Sequence, residues 1–246
     1  MKRRNVLVGA GAAFLAGCSK VAESQPGAAV LDAAEDWHRK AQRLFGARTA
    51  LAKEYDRSEI SPTFRGNGSR TVDTDAYRAA LASGFGDWRL EVRGLVRHPL
   101  SLSMENIRRL PQRTQVTRHD CVEGWSAIGE WTGPQLSTIL DGAKLLPDAR
   151  FIVFRCADTL DGARYYESID LDDAYHPQTL LAYEMNDGPL AVAHGAPLRL
   201  RIERQLGYKH AKYLTGIEAV ASLDGIEGGK GGYWEDRAGY HWYAGI

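Results

Sequence analysis

One cysteine stands out by its neighbours. In Arg118-His119-Asp120-Cys121-Val122-Glu123-Gly124-Trp125-Ser126 a thiol sits among charged, aromatic and glycine residues. Structural cysteines usually have apolar surroundings. Arg118 and a protonated His119 would lower the thiol pKa and favour the thiolate. A thiolate can bind a soft metal, or act as a nucleophile with a distant base such as His194 or His210. A plain core cysteine is the third reading. Zinc is disfavoured, because one Cys with one His two residues away cannot close a tetrahedral site and no second cysteine lies at short spacing. Cys156 follows the apolar run Phe151 to Phe154 and suits a core position. Spacing alone leaves a disulfide between the two cysteines open.

The elements that must position these residues read mostly as strands. Trp88, Leu90 and Val92 alternate with Arg89, Glu91 and Arg93, a half-buried strand pattern. Residues 103–110 predict a short helix, and Tyr165 to Ile169 a further strand. Asn186-Asp187-Gly188 between Tyr183 and Leu190 is a hairpin signal. Leu198, Leu200 and Ile202 alternate with Arg199, Arg201 and Glu203, predicting one apolar and one charged face. Ser61-Pro62 and the run Arg65-Gly66-Asn67-Gly68-Ser69 mark a loop. Earlier, Val30, Ala34, Trp37, Ala41, Leu44 and Leu51 recur near helical steps, which predicts an amphipathic helix with Gly46 as a candidate break. Helices are scattered among strands without a βαβ rhythm, so the expected class is mixed α+β.

Composition bounds the rest. Of 246 residues, 44% are hydrophobic and 25% charged, as in soluble globular proteins. Lys+Arg and Asp+Glu are both 31, leaving no positive excess to neutralise a nucleic-acid backbone. Lys2, Arg3 and Arg4 precede an apolar and glycine-alanine stretch ending in Leu15-Ala16-Gly17-Cys18. Residues 1–17 therefore read as a signal peptide, too short to span a bilayer. The Arg3-Arg4 pair resembles a twin-arginine signal, and the small residues before Cys18 resemble a lipobox. The expectation is export to the periplasm, with Cys18 lipidated as a membrane anchor. Residues 18–28 would form a tether and 29–246 the functional domain with its N-terminal helix.

Two separated segments carry a family resemblance. Cys121-Val122-Glu123-Gly124-Trp125-Ser126 with Trp131-Thr132-Gly133 and Leu136 resembles the metal-ligand segment of the sulfite-oxidase family. His194-Gly195-Ala196-Pro197-Leu198-Arg199 followed by Gly207-Tyr208-Lys209-His210-Ala211-Lys212 resembles its pterin-clasping segment. The similarity covers roughly Ile60 to Ala219, and the small exported bacterial members, which include methionine-sulfoxide-reducing enzymes, look most similar. It implies a molybdenum–molybdopterin cofactor with Cys121 as the one protein ligand to the metal. It also implies Arg65, Asn67, Cys156, His194, Arg199, His210, Ala211 and Lys212 as cofactor contacts. Cationic Arg199 and Lys212 suit the pterin's phosphate, and successive N–H groups near His210 and Ala211 could cradle it.

The resemblance implies an oxidoreductase that exchanges an oxygen atom or electrons with a small substrate, by sulfoxide-type reduction or sulfite-type oxidation. Sulfite would need a cationic pocket, for which Arg118 is a candidate. No Cys-x-x-Cys-His haem-attachment motif is present, so electrons are expected from a separate partner; a membrane haem protein is one candidate. No room is expected for the immunoglobulin-like dimerisation domain of animal and plant sulfite oxidases, which favours a monomer. The rival reading is a cofactor-binding or interaction lipoprotein of the same fold without turnover. For the aromatic segment from Tyr233 to Tyr243, packing on the core and serving a partner are both open.

Overall fold

The computed structural model describes residues 50–246, together with Ser24, Pro26, Ala33, Ala34, Trp37, Lys40 and Ala41. The expected signal peptide and Cys18 lie outside the described residues. Of the expected N-terminal helix, Ala33, Ala34, Trp37, Lys40 and Ala41 are helical. Pro26, placed within the expected tether, is helical as well. Residues 1–48 and 49–246 form separate compact units, and the second carries every element below.

The architecture is α+β. A five-stranded sheet runs in the order β2 (Leu100–Ser103), β1 (Arg89–Gly94), β11 (Leu214–Val220), β5 (Phe151–Leu160), β6 (Ala163–Asp170). Only the β1–β11 pair is parallel. The alternation around β1 is realised: Trp88, Leu90 and Val92 join the main core, while Arg89, Glu91 and Arg93 are exposed. Around this sheet lie α1 (Asp75–Ala82), α2 (Met104–Arg108), α3 (Leu136–Ala143) and α4 (Leu171–Ala174). Ser103 caps α2 through the Asn106 amide, and Asn106 caps back, which satisfies two otherwise orphaned donors at the start of the short helix.

A second sheet has the order β3 (Gln112–Asp120), β4 (Ser126–Pro134), β8 (Glu184–Met185), β9 (Gly188–Pro189). Its β8–β9 turn is Asn186-Asp187, both at positive φ, as a two-residue hairpin of this hand requires. A separate pair joins β7 (Leu180–Ala182) to β10 (Arg199–Arg201). Here the structure departs from the expected pattern. Arg199, Arg201 and Glu203 are 1%, 0% and 4% exposed, so the charged face of this segment is as buried as the apolar one.

The C-terminal segment packs on the core. Helix α5 (Tyr233–Ala238) places Tyr233 in the main core cluster. The chain then runs back along residues 204–206, with the Leu206 and Ile246 amides donating to the Ala244 and Arg204 carbonyls.

Candidate active site and cofactor cradle

Cys121 occupies a defined corner. Strands β3 and β4 pair in continuous register up to Asp120 and Ser126, and residues 121–125 turn between them. The Cys121 amide donates to the Trp125 carbonyl at 2.9 Å, and the Gly124 amide returns a bond to the Cys121 carbonyl at 3.0 Å. The backbone is thereby fixed while the side chain stays free to face a cleft. That cleft is lined by Cys121 and Glu123 on one side, Asn67 to Ser69 on another, and Gly207, Tyr208, His210 and Lys212 on a third. Both Cys121 and Cys156 are free thiols.

The expected activation of the thiol by its neighbours does not occur. Arg118 is exposed, and its guanidinium bonds Asp120 at 2.9 Å. His119 is buried, and burial, followed by the charges of Arg201 and Arg199, keeps its pKa well below the usual value. It is neutral, so it supplies no cation. Burial raises the Cys121 thiol instead, and Glu123 raises it further against a backbone hydrogen bond. A bound metal cation would displace that proton directly.

Next to the cleft-lining Gly207 and His210 lies a buried cationic cradle that begins at His119. His119 and Arg201 meet at 2.9 Å between Nδ1 and a guanidinium nitrogen. Arginine only donates, so Nδ1 accepts and the neutral ring carries its proton on Nε2. That N–H has no partner in the protein. A Cβ on Gly207 would stand 2.5 Å from it, so the space in front depends on glycine. Arg201 is neutralised by Glu203 through bonds of 3.0 and 2.6 Å. Arg199 is not: one nitrogen donates to the His194 carbonyl at 3.0 Å, while Nε and Nη2 have no partner. Both guanidiniums lie over the Trp131 ring, at 4.9 and 4.2 Å, where the π-face favours cations. Burial and the neighbouring Arg201 lower Arg199 to about 9.

The same field depresses the other basic groups. Burial, then Arg199 and Lys212, bring His194 to about 4. Burial and Arg199 bring Lys212 to about 7. His210 donates its Nε2–H to the Gln205 carbonyl at 3.0 Å and leaves Nδ1 as an unused acceptor. Unsatisfied buried polar groups cost about 1–3 kcal/mol each. Several in one cradle beside a free thiol mark the seat of a polar, anionic ligand. Among the described residues no three His, Cys, Asp or Glu side chains gather as a metal site. A metal at Cys121 would therefore take its remaining ligands from a cofactor, and the cradle's unused donors fit a pterin with its phosphate.

Not every expected contact has that form. Lys212 uses its ammonium on the carbonyls of Asn67 at 2.7 Å, Ala193 at 3.2 Å and Ser69. It clamps the 65–69 loop, and its three donors are thereby engaged. Asn67 reaches the cleft, whereas Arg65 is exposed. The amides of His210 and Ala211 donate to the carbonyls of Gly207 and Lys209 at 3.1 Å each, so those N–H groups are committed to their own turn. Cys156 is 1% exposed within the main core, its thiol held neutral by burial. Sequence reasoning passed over Arg201 and gave His119 the wrong part. The alternation of Arg199 and Arg201 was the available signal.

Similarity to known proteins agrees with this geometry. Residues 79–224 match the oxidoreductase molybdopterin binding domain. The chain is 41% identical over 197 residues to a protein of Azospira oryzae provisionally named protein-methionine-sulfoxide reductase subunit YedZ1, covering 79% of this chain and 68% of that one. It is 33% identical to the protein-methionine-sulfoxide reductase catalytic subunit MsrP of Campylobacter jejuni, over 59% of this chain and 54% of the relative. The chain thus spans about half the length of that relative. The sulfane dehydrogenase SoxCD of Paracoccus pantotrophus shares the fold, with TM-score 0.54 and 21% identity over 62% of this chain and 41% of that chain. Free thiol, cationic cradle and sequence match converge: the chain belongs to the sulfite-oxidase family of molybdopterin-dependent oxidoreductases.

Proposed function

We propose that the protein is a molybdenum–molybdopterin reductase of sulfoxide-type substrates, with Cys121 as the protein ligand to the metal. The observation that carries this reading is the set of unpartnered buried atoms on Arg199, His119 and His210, together with a free thiol in the cleft that His210 also lines. When bound, the cofactor supplies a metal able to accept oxygen and pass two electrons. The residues do the remaining work. Arg199 and the His119 Nε2–H would donate to the cofactor's acceptor atoms, and His210 Nδ1 would accept. The Cys121 backbone bonds hold the turn from which its side chain faces the cleft. Lys212 orders the loop that carries Asn67.

In the net reaction a sulfoxide takes up two protons and two electrons and yields a sulfide and water. The sulfur–oxygen bond breaks, the sulfur is reduced, and the oxygen leaves with both protons. The electrons come from a separate one-electron carrier. The reductive direction is favoured by relatives named as methionine-sulfoxide reductases. Sulfite oxidation has less support, because Arg118, the candidate cation, is turned to Asp120 at the surface. The Arg3-Arg4 pair and the small residues before Cys18 support a periplasmic, lipid-anchored protein.

Protein matured in a cofactor-producing host should reduce methionine sulfoxide with a reduced viologen as donor. Oxidation of sulfite with no sulfoxide reduction would reverse the assigned direction.

A further inference from the structure

The family match ends at residue 224, yet residues beyond it build one wall of the cleft that holds Cys121. Trp234 and Tyr240 line it, together with Glu123 and Asp158. They belong to a continuous set of rings. Tyr165 stacks on Tyr233 at 5.5 Å, and Tyr233 meets Trp234 edge-on at 5.2 Å. Trp234 stacks on Tyr240 at 5.7 Å, and Tyr240 meets Tyr208 edge-on at 5.0 Å.

The wall is anchored from beneath. Glu235, next to Trp234 on α5, bonds the buried Lys209 ammonium at 2.6 Å, and Glu167 takes the same ammonium at 2.6 Å. A Cβ on Gly232 would stand 2.1 Å from a Glu235 carboxylate oxygen and 2.7 Å from one of Glu167. The helix can settle this deeply only because that position is glycine. One short helix thus turns a carboxylate into the core and an indole toward the cleft.

The chemistry of the mouth is selective. Its exposed carboxyl group, Glu123, disfavours anions, while Asp158 is buried and its carboxyl is pushed upward by that burial. Its lining ammonium, Lys212, is engaged by three backbone carbonyls. Aromatic rings make favourable contacts with sulfur. We propose that Trp234 and Tyr240 are the specificity-determining residues of this enzyme, seating an uncharged, sulfur-bearing side chain and excluding small anions. This rests on the sulfoxide-reductase reading above.

The test uses holoenzyme of the wild type, Trp234→Ala, Trp234→Phe and Tyr240→Ala, checked for equal molybdenum content. The substrate is N-acetylmethionine sulfoxide methylamide, and Trp234 carries a 5-fluoroindole label for ¹⁹F NMR. Roughly a tenfold rise in KM is expected for Trp234→Ala, with kcat changed less than about twofold and with KM largely restored by Phe. The label should shift on titration with the sulfoxide and stay unmoved with sulfite. An unchanged KM in both alanine variants of an active enzyme overturns the wall and leaves the reductase reading standing. A label that titrates with sulfoxide in a wild type without turnover supports the wall and overturns the reductase reading. A label that responds to sulfite and not to the sulfoxide overturns the wall.

Discussion

Two buried charge clusters lie side by side in this molecule and differ in one respect. Around Lys209, a single ammonium sits between Glu167 and Glu235, with all three side chains at 0–1% exposure. Lys209 is raised by its carboxylates despite burial, and Glu167 is driven well upward, by burial first. Its ammonium is fully partnered within the protein, although one Glu235 carboxylate oxygen is not. One residue further along the chain begins the other, where Arg199, His119 and His210 keep unpartnered polar atoms. A buried ammonium paired with carboxylates serves the fold, whereas several unpaired buried donors around one cleft suit a ligand.

The contrast can be broken by substitution. Lys209→Met strips two buried carboxylates of their partner and should destabilise even cofactor-free protein by about 3–5 kcal/mol in urea unfolding. A loss under about 1 kcal/mol would mean the cluster does not anchor the fold. Arg199→Met should act the opposite way. Cofactor-free protein should keep its stability or gain slightly, since an unneutralised buried cation is removed, while cofactor content falls at least about tenfold. Loss of stability with full cofactor retention would make Arg199 structural.

A pH series sharpens the same comparison. Lys212 is lowered to about 7 in the folded chain from 10.5. Between those values the unfolded chain binds the extra proton, so stability of cofactor-free protein should rise with pH there. The slope from this group is at most about 1.4 kcal/mol per pH unit. An anionic cofactor should restore the ammonium and flatten the rise. Identical pH slopes for cofactor-free and loaded protein would place Lys212 outside the cofactor's field. Smallest of all, Arg118→Ala removes an exposed pair and should cost no more than about 0.5 kcal/mol, with turnover unchanged. A large fall in turnover would return Arg118 to the site.

Much of this was legible in the sequence. The alternation about Leu90, the hairpin at Asn186-Asp187 and the short helix after Ser103 follow from local pattern and turn chemistry, and the structure has all three. The strands that carry Cys121 were not read. In β3 the buried positions include Gln115, Thr117 and His119, so polar residues hide the period that reveals a strand. The burial of Arg199 was hidden for the same reason. Alternation tells which residues share a face but not whether that face meets water. The roles of Lys212 and the C-terminal rings depend on contacts across more than a hundred residues or between separate segments, and spacing cannot supply those. The motif around Cys121 identified the ligand candidate, but not how its thiol is tuned. Burial prevailed over neighbouring charge, because Arg118 is committed elsewhere and His119 is neutral.

The proposed bond between the Cys121 sulfur and molybdenum carries the rest. Elemental analysis and molybdenum K-edge absorption on protein matured in a cofactor-producing host test it directly, comparing wild type with Cys121→Ser. About one molybdenum per wild-type chain is expected, with a sulfur ligand that disappears in the variant along with turnover. Wild-type protein without molybdenum, or an identical sulfur shell in the variant, would contradict it.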